Sequence, residues 1–269
     1  MMLALILRNF KDRRTSWIVY SLSGVLLLWM YVALFPTFSE QAASMDEFIK
    51  SFPEGFMKAF GIEDFDLSTI EKFLSTEQYS FVWPLLTLFF LVSMAGSSLA
   101  GEIERGTSEM LLARPVSRNT LYWSRYLSSA AMFVVFLAFT VLAVIPLSEL
   151  HGVEYVIKSH LILAGTAFLF GLAVLSIAMM LSALFSERSK VYMITGGVLV
   201  AMYVLNIVSV LKESLVNVKY LSFFYYFDPG DALVRQEVSP EGFWVFLGVI
   251  IVCSMAGSIF FSRRDIKSV

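Results

Sequence analysis

Residues 160–185, HLILAGTAFLFGLAVLSIAMMLSALF, form an apolar run that decides the fold class of the chain. The run contains no Asp, Glu, Lys or Arg, and a hydrocarbon core about 30 Å thick requires about 20 helical residues. Because its apolar positions are continuous rather than alternating, it predicts a membrane-spanning helix and disfavours a transmembrane β-barrel. Five further runs of this kind occur. The six predicted spans cover residues 17–35, 81–100, 124–147, 160–185, 191–211 and 242–261.

The composition of the whole chain agrees with this interpretation. Of its 269 residues, 58% are hydrophobic and 16% are charged, whereas about a quarter of the residues in a soluble domain are charged. A net charge of -2 gives no basic excess for a phosphate backbone, so no nucleic-acid partner is expected. Cys253 is the only cysteine, which excludes an internal disulfide. The sequence therefore predicts an all-α, polytopic membrane protein, with a single transmembrane domain over residues 1–269 that contacts membrane lipid.

The distribution of basic residues predicts the orientation of the bundle. Most of the 20 Lys and Arg residues lie before span one, between spans two and three, between spans four and five, and after span six. By the positive-inside rule we expect a plasma (inner) membrane protein with both termini in the cytoplasm. Residues 3–14 favour a helix in the inner headgroup plane, with an ordinary basic flank as the alternative. Five tryptophans are predicted to lie in the interfacial belts: Trp17, Trp29, Trp83, Trp123 and Trp244.

The long outer loop, residues 36–80, carries helical signals of its own. Apolar residues recur at helical spacing from Met45 to Phe60, and Ser68 with Glu71 has the spacing of a capping box. We therefore expect short amphipathic helices after an exit from span one at Phe35–Pro36. They would form either a lid over an exit path or a simple cover on the bundle.

The most informative stretch lies between spans two and three. It is residues 101–118, GEIERGTSEMLLARPVSR. Its acidic residues do not belong in a hydrocarbon core, so the chain has left the bilayer here. Pro115 ends a short helix, and Ser117 is a candidate cap for the helix that enters span three. A short charged helix followed by a sharp turn suits a surface that docks on a soluble partner, with a plain cytoplasmic loop as the alternative.

The pattern E-x-E-x-G-T-x-E-x-L-L-x-x-P-V-S-R in this stretch resembles the signature segment of ABC transporter permeases of the type-2 exporter class. In that family the segment is the coupling helix, which fits a cleft on a separate ATP-hydrolysing subunit. The resemblance also implies two permeases per transporter, either a homodimer or a related pair. It implies that the ATPase-binding residues are Glu102, Glu104, Arg105, Gly106, Thr107, Glu109, Leu111, Leu112, Pro115 and Arg118.

The absence of a nucleotide-binding motif agrees with this resemblance. The sequence contains no G-x-x-x-x-G-K-[ST], so any ATP hydrolysis belongs to another chain, and this chain is not expected to be an enzyme. The spans hold few ionisable residues, which disfavours a proton- or sodium-coupled carrier and favours a hydrophobic or amphiphilic cargo. Asn206 and Thr166 are candidates for the substrate path, with helix–helix hydrogen bonding as the alternative. A membrane scaffold that recruits a cytoplasmic protein without transport is the alternative function.

A cluster of four polar residues near the outer ends of spans three and four suggests a metal site at first sight. It consists of Glu149, His151, Glu154 and His160. Their spacing fits no standard metal motif, so we expect no metal site and no cofactor.

Overall fold

The computed structural model describes residues 2–49, 68–106 and 116–264, and within them the side chains of all but residues 41–49 and 213. All regular structure in these ranges is helical, and they contain no strand. Six helical stretches are long and apolar enough to cross a membrane. The prediction of an all-α membrane protein with six spans is therefore confirmed.

Each span is one helix or a short series of helices. Span one is Met2–Ile49, and span two is Ile70–Leu74, Ser75–Val82 and Trp83–Glu104 in series. Span three is Arg118–Leu137, Ala138–Leu142 and Val144–His151. Spans four, five and six are Ile157–Leu184, Arg188–Leu211 and Pro240–Arg263. Three short helices, Glu213–Leu221, Phe223–Tyr226 and Asp231–Arg235, connect spans five and six.

Span one is longer at both ends than its apolar run. Pro36 lies inside the helix, whereas we expected the chain to leave span one at Phe35–Pro36. A proline removes only its own backbone N–H bond, and the residues after Pro36 include good helix formers, so the helix resumes. Residues 3–14 are likewise the first turns of this helix rather than a separate helix. At 1.5 Å per residue its 48 residues extend about 72 Å, well beyond the bilayer thickness of about 40–45 Å.

Span two begins one residue away from the expected cap. The Thr69 hydroxyl accepts from the backbone N–H of Lys72, so Thr69 rather than Ser68 is the N-cap. The Glu71 carboxylate does not bond back to the cap, as a capping box requires, but accepts from the backbone N–H of Val156 at 2.6 Å. Glu71 thereby joins the start of span two to the start of span four. The remaining expected helices of the outer loop, from residue 50 to 67, lie outside the described residues.

Following the predicted orientation, we call the end of the bundle that holds the start of span one and the end of span six the inner end, and the opposite end the outer end. The outer halves of spans two and three each contain a π-helical segment, Ser75–Val82 and Ala138–Leu142. The two segments meet at Thr140, which is fully buried. Its carbonyl accepts from the Tyr79 hydroxyl at 3.2 Å, and its hydroxyl accepts from the Trp83 indole N–H at 2.9 Å. The assignment of Trp83 to an interfacial belt is therefore wrong, because its polar N–H has a buried partner.

Span four is the centre of the bundle and packs against spans two, three, five and six. Its contact with span three is close at Gly171, where a Cβ atom would overlap the ring of Phe133. Near its middle, Phe170 stacks on Phe227 of the outer connection, with 4.8 Å between ring centroids. Span one packs mainly along span three. The apolar core is thus organised around span four.

Candidate coupling site at the inner end of the bundle

The predicted coupling segment, residues 101–118, is described at its two ends. Residues 101–106 end span two, and residues 116–118 begin span three. Five of the predicted partner-binding residues lie outside the described residues: Thr107, Glu109, Leu111, Leu112 and Pro115. The other five are described, namely Glu102, Glu104, Arg105, Gly106 and Arg118.

The helix of span two ends in a turn that requires glycine. Gly106 has a φ of +69°, and its N–H donates to the carbonyl of Ile103 at 3.0 Å. A side chain in this left-handed region costs about 1–2 kcal/mol, so the glycine of the motif has a backbone reason. The helix of span two therefore ends at this turn, inside the predicted coupling segment.

Glu102 forms a buried ion pair with the start of span three. Its Oε1 lies 2.6 Å from Nη2 of Arg125, and the two residues are only 9% and 2% exposed. Glu102 lies beyond the membrane-spanning stretch of span two, which ends at Gly96. Burial raises the pKa of its carboxyl from its ordinary value, and the attraction of Arg125 and Arg13 only partly opposes this. The pair therefore fixes spans two and three to each other at a cost in desolvation.

One helical turn beyond Arg125, span three is bonded to span one. The Ser128 hydroxyl accepts from the Asn9 amide, whose oxygen in turn accepts from Nε of Arg13 at 2.9 Å. Further along the same contact, the Trp17 indole N–H donates to the carbonyl of Met132 at 3.1 Å. Movement of span three at its inner end therefore involves span one as well.

Glu104 bonds to the start of span five. Its Oε2 accepts from the backbone N–H of Arg188 at 2.9 Å and lies 3.6 Å from Nε of the same residue. A carboxylate at a helix N-terminus satisfies a free N–H group and interacts favourably with the helix dipole. The pair is partly exposed, so its contribution to stability is modest, about 0–1 kcal/mol. Glu104 thus has a structural role in addition to its predicted role in binding a partner.

Arg118, at the other end of the segment, is connected to spans six and four. Its guanidinium donates to the carbonyl of Arg264, just beyond span six. The Arg264 guanidinium donates to the carbonyls of Ala183 at 2.9 Å and Phe185 at 3.0 Å, at the C-terminal end of span four. These carbonyls are among those that a helix end leaves without intrahelical partners. The two ends of the coupling segment are therefore anchored directly on spans three, five and six, and through Arg264 on span four.

Sequence reasoning placed Arg188 in a tight inner turn close enough to face the coupling segment, and its contact with Glu104 agrees with this. It missed the other residues that anchor the segment, above all Asn9, Arg125 and Arg264. We used Arg125 and Arg264 only as charges that orient the bundle. Arg125 did carry a signal, because a charge one residue inside a predicted span needs a buried partner, and Glu102 ends the neighbouring span. Arg264 carried no such signal, since a basic residue after the last span is ordinary.

The two candidates for the substrate path lie on different spans. The Thr166 hydroxyl donates to the carbonyl of Leu163 in its own helix at 3.0 Å, and Thr166 lines a narrow cleft between span four and the start of span six. Asn206 is half-buried on span five, where its carbonyl accepts from the Ser209 hydroxyl at 2.6 Å. The hydrogen bonds found at the two residues thus remain within their own helices, and their place in a path stays a prediction.

The four polar residues at the outer ends of spans three and four have separate partners. Glu149 accepts from the Tyr155 hydroxyl, and His151 accepts from the Trp29 indole N–H at 3.0 Å. His160 is buried, with Nδ1 lying 3.2 Å from the carbonyl of Val156, while Glu154 lines an open outer cleft. In the described parts of the chain, no three His, Cys, Asp or Glu residues are grouped to hold a metal ion.

Six apolar helices, with span four at their centre and a charged segment anchored at one end, define a polytopic membrane protein. Residues 3–266 match the family described as ABC-2 family transporter protein. Since the match covers nearly the whole chain, the protein belongs to this family and is an ABC transporter permease. No curated protein matches the sequence.

Proposed function

We propose that the chain is the membrane subunit of an ATP-driven exporter, working with a separate cytoplasmic ATPase subunit and a second permease copy or paralogue. The observation that carries this proposal is the anchoring of the coupling segment. Glu102, Glu104 and Arg118 connect its ends to spans three, five and six. A push on residues 107–115 by a partner would therefore reach several spans at once.

The mechanism follows from the order of these contacts. Closure of the ATPase on nucleotide displaces the coupling segment, and the buried pair of Glu102 and Arg125 passes the displacement to span three. Span one follows, because the Asn9 amide is bonded to Ser128 of span three. The inner ends of spans one to three then tilt against span four and change the side to which the path opens.

The composition of the spans supports a hydrophobic or amphiphilic substrate, such as a drug, an antibiotic peptide or a lipid-like molecule. We propose export across the plasma (inner) membrane, with both termini in the cytoplasm. Asn206 and Thr166 are the proposed polar residues of the path. Replacing each by Val or Ala is expected to change substrate selectivity more than the recovery of folded protein.

Partner binding is tested by substituting a predicted contact residue. The tagged chain is purified together with its ATPase subunit, and Glu109→Lys is compared with Glu237→Lys, an exposed acid in the connection before span six. We expect Glu109→Lys to lower the amount of ATPase subunit that purifies with the tagged chain at least several-fold, and Glu237→Lys to leave that amount unchanged. Equal recovery in both variants, with equal ATP turnover, would contradict a coupling role for this segment.

Transport itself is tested in sealed inverted vesicles that contain the permease and the ATPase. Amphiphilic dyes are offered with ATP or with a non-hydrolysable analogue, and uptake is followed by fluorescence. We expect uptake with ATP only, and its loss in Glu109→Lys. ATPase recruitment without ATP-dependent uptake of any dye tested, or of a peptide or lipid probe, would favour the scaffold alternative.

A further inference from the structure

The inner end of the bundle carries more positive than negative charge in a partly buried position. Around Glu102 lie the guanidinium groups of Arg125, Arg13 and Arg105, all three of which act on its carboxylate. Arg125 is paired with Glu102, and Arg13 donates to the neutral amide of Asn9. Arg105 folds back over Gly101, with its nitrogens 3.8 and 3.9 Å from the position a Cβ atom would take there. Among the residues that the structure describes, three cations thus face one anion in this group.

Arg125 is also incompletely bonded. It is 2% exposed, and its Nε and Nη1 have no hydrogen-bond partner among the described residues. A guanidinium has five N–H donors and is never deprotonated in a protein, so buried donors of this kind are costly when they have no acceptor. The missing partner must supply acceptor atoms, and the excess of positive charge favours one that is anionic.

The three side chains extend from the interior to the surface. Arg125 is buried, Arg13 is half-buried and Arg105 is exposed, so a ligand can approach along this series. The group lies beside span one, at the inner ends of spans two and three. Because the apolar stretch of span two ends at Gly96, we expect the group to lie at the level of the lipid headgroups. Arginine is the preferred residue for phosphate, because its planar fork matches two phosphate oxygens at once.

We propose that Arg13, Arg105 and Arg125 form a binding site for an anionic phosphate group between span one and the inner ends of spans two and three. The phosphodiester of an acidic phospholipid and free phosphate share this chemistry. Basic pockets between spans on the cytoplasmic side are a known setting for acidic headgroups. A bound phosphate would supply acceptors to Arg125 and reduce the repulsion among the three cations. The site would link span one to the coupling segment through a molecule of the membrane itself.

The proposal is tested on the full chain purified in detergent. Native mass spectrometry measures how much phosphatidylglycerol remains bound after exchange with phosphatidylcholine, which carries no net charge. Arg105→Gln and Arg13→Gln are the test variants, and Arg14→Gln, an exposed neighbour on span one, is the control. We expect retained phosphatidylglycerol to fall at least threefold in both test variants and to stay unchanged in the control. Glu102→Gln is expected to increase retention, because it removes the competing anion.

A second measurement separates the two sources of phosphate. The melting temperature is recorded in nanodiscs of phosphatidylcholine alone, with and without inorganic phosphate, and in nanodiscs that also contain phosphatidylglycerol. A higher melting temperature with phosphatidylglycerol but not with inorganic phosphate identifies a lipid headgroup as the ligand. A higher melting temperature with inorganic phosphate identifies the free ion. In either case, we expect Arg105→Gln to abolish the increase. Two results would overturn the proposal: equal retention in wild type and both test variants, or an equal loss in Arg14→Gln, which would mean attraction by the general basic charge of the inner face.

Discussion

At the scale of single residues, the ion pair of Glu102 and Arg125 is the contact on which the inner end depends. Both side chains are buried, and the raised pKa of Glu102 indicates that desolvation outweighs the attraction of its partners. Pairs of this kind add little net stability, but removing one partner leaves an uncompensated charge in the interior. The loss of stability is therefore expected to be large when one partner of the pair is replaced and smaller when both are replaced.

Removing Arg125 alone is expected to destabilise the protein strongly. Arg125→Met leaves the Glu102 carboxylate buried without its partner, which costs about 3–5 kcal/mol. In a Glu102→Gln background the same change should cost clearly less, because the buried group is then neutral. Unfolding free energies of the two single variants and the double variant in mixed micelles form the cycle that checks this. Additive losses would show that the pair is not coupled.

The pH dependence of stability provides an independent check on Glu102. A carboxyl whose pKa is raised by folding favours the folded state most when it is protonated, so its contribution is lost as the pH rises through the raised value. Wild type should therefore lose stability relative to Glu102→Gln as the pH rises from about 4, near the ordinary carboxyl pKa, towards neutrality. Melting temperatures of the two proteins over this range test the sign. A relative gain for wild type would mean that its partners dominate and the pKa is lowered.

The motif residues could be predicted at this scale, and most of their bonding partners could not. Glu102, Glu104 and Arg118 stand out because charges beside an apolar run need an explanation. The partners of Glu104 and Arg118 are the backbone of Arg188 and of Arg264, and a backbone group has no sequence signature. Only the packing of the spans brings them together.

At the scale of helices, Thr140 connects the two spans that flank the coupling segment. Its position in one π-helical segment opposite another makes its hydroxyl and carbonyl available to span two. Segments of this type are often found at functional sites, because the widened turn frees backbone groups for other contacts. Spans two and three are thus bonded at Thr140 in their outer halves and by Glu102 and Arg125 at their inner ends.

Loss of the Thr140 hydroxyl is expected to weaken this connection. Thr140→Val keeps the shape of the side chain but leaves the Trp83 indole N–H buried without an acceptor, which costs about 1–3 kcal/mol. Thr87→Val on span two is the matched control, because the Thr87 hydroxyl is equally buried and has no partner in the described part of the chain. Thermal unfolding should separate the two variants. Similar losses in both would mean that the Trp83 bond adds nothing to stability.

The existence of the six helices follows from the sequence, and their ends and irregularities do not. Apolar runs report burial in lipid or protein, so they predict where spans lie. An apolar run does not predict whether the helix ends at Pro36. In the structure the proline removes one backbone hydrogen bond, and the helix continues on both sides of it. The π-helical segments depend on partners across the bundle, such as Tyr79 and Thr140, which no local pattern identifies.

At the scale of the whole molecule, Arg264 connects three spans at the inner end of the bundle. Its guanidinium binds the end of span four, and its carbonyl receives Arg118 from the start of span three. Spans three, four and six therefore share one set of hydrogen bonds beside the coupling segment. In the proposed transporter, these bonds hold the start of span three, which follows the coupling segment, against the end of span four.

Arg264→Ala is expected to lower stability by about 1–3 kcal/mol, because it removes the donor for the carbonyls of Ala183 and Phe185. Arg263→Ala is the matched control, since Arg263 is exposed and carries the same charge one residue earlier. Melting temperatures in detergent, together with ATP turnover in the presence of the ATPase subunit, check the prediction. Equal behaviour of the two variants would mean that only the charge of this segment matters.

The contacts of Arg264 also constrain how the molecule is made. Its partner Ala183 lies 81 residues earlier in the chain, and Arg118 lies 146 residues earlier. Neither hydrogen bond can form before the ribosome has completed span six. Until then the ends of spans three and four present free polar groups to the insertion machinery, and contacts of such separation form late. A nascent chain that stalls after span five would therefore be recognisable to quality control by its open inner face, although five of its six helices were already in the membrane.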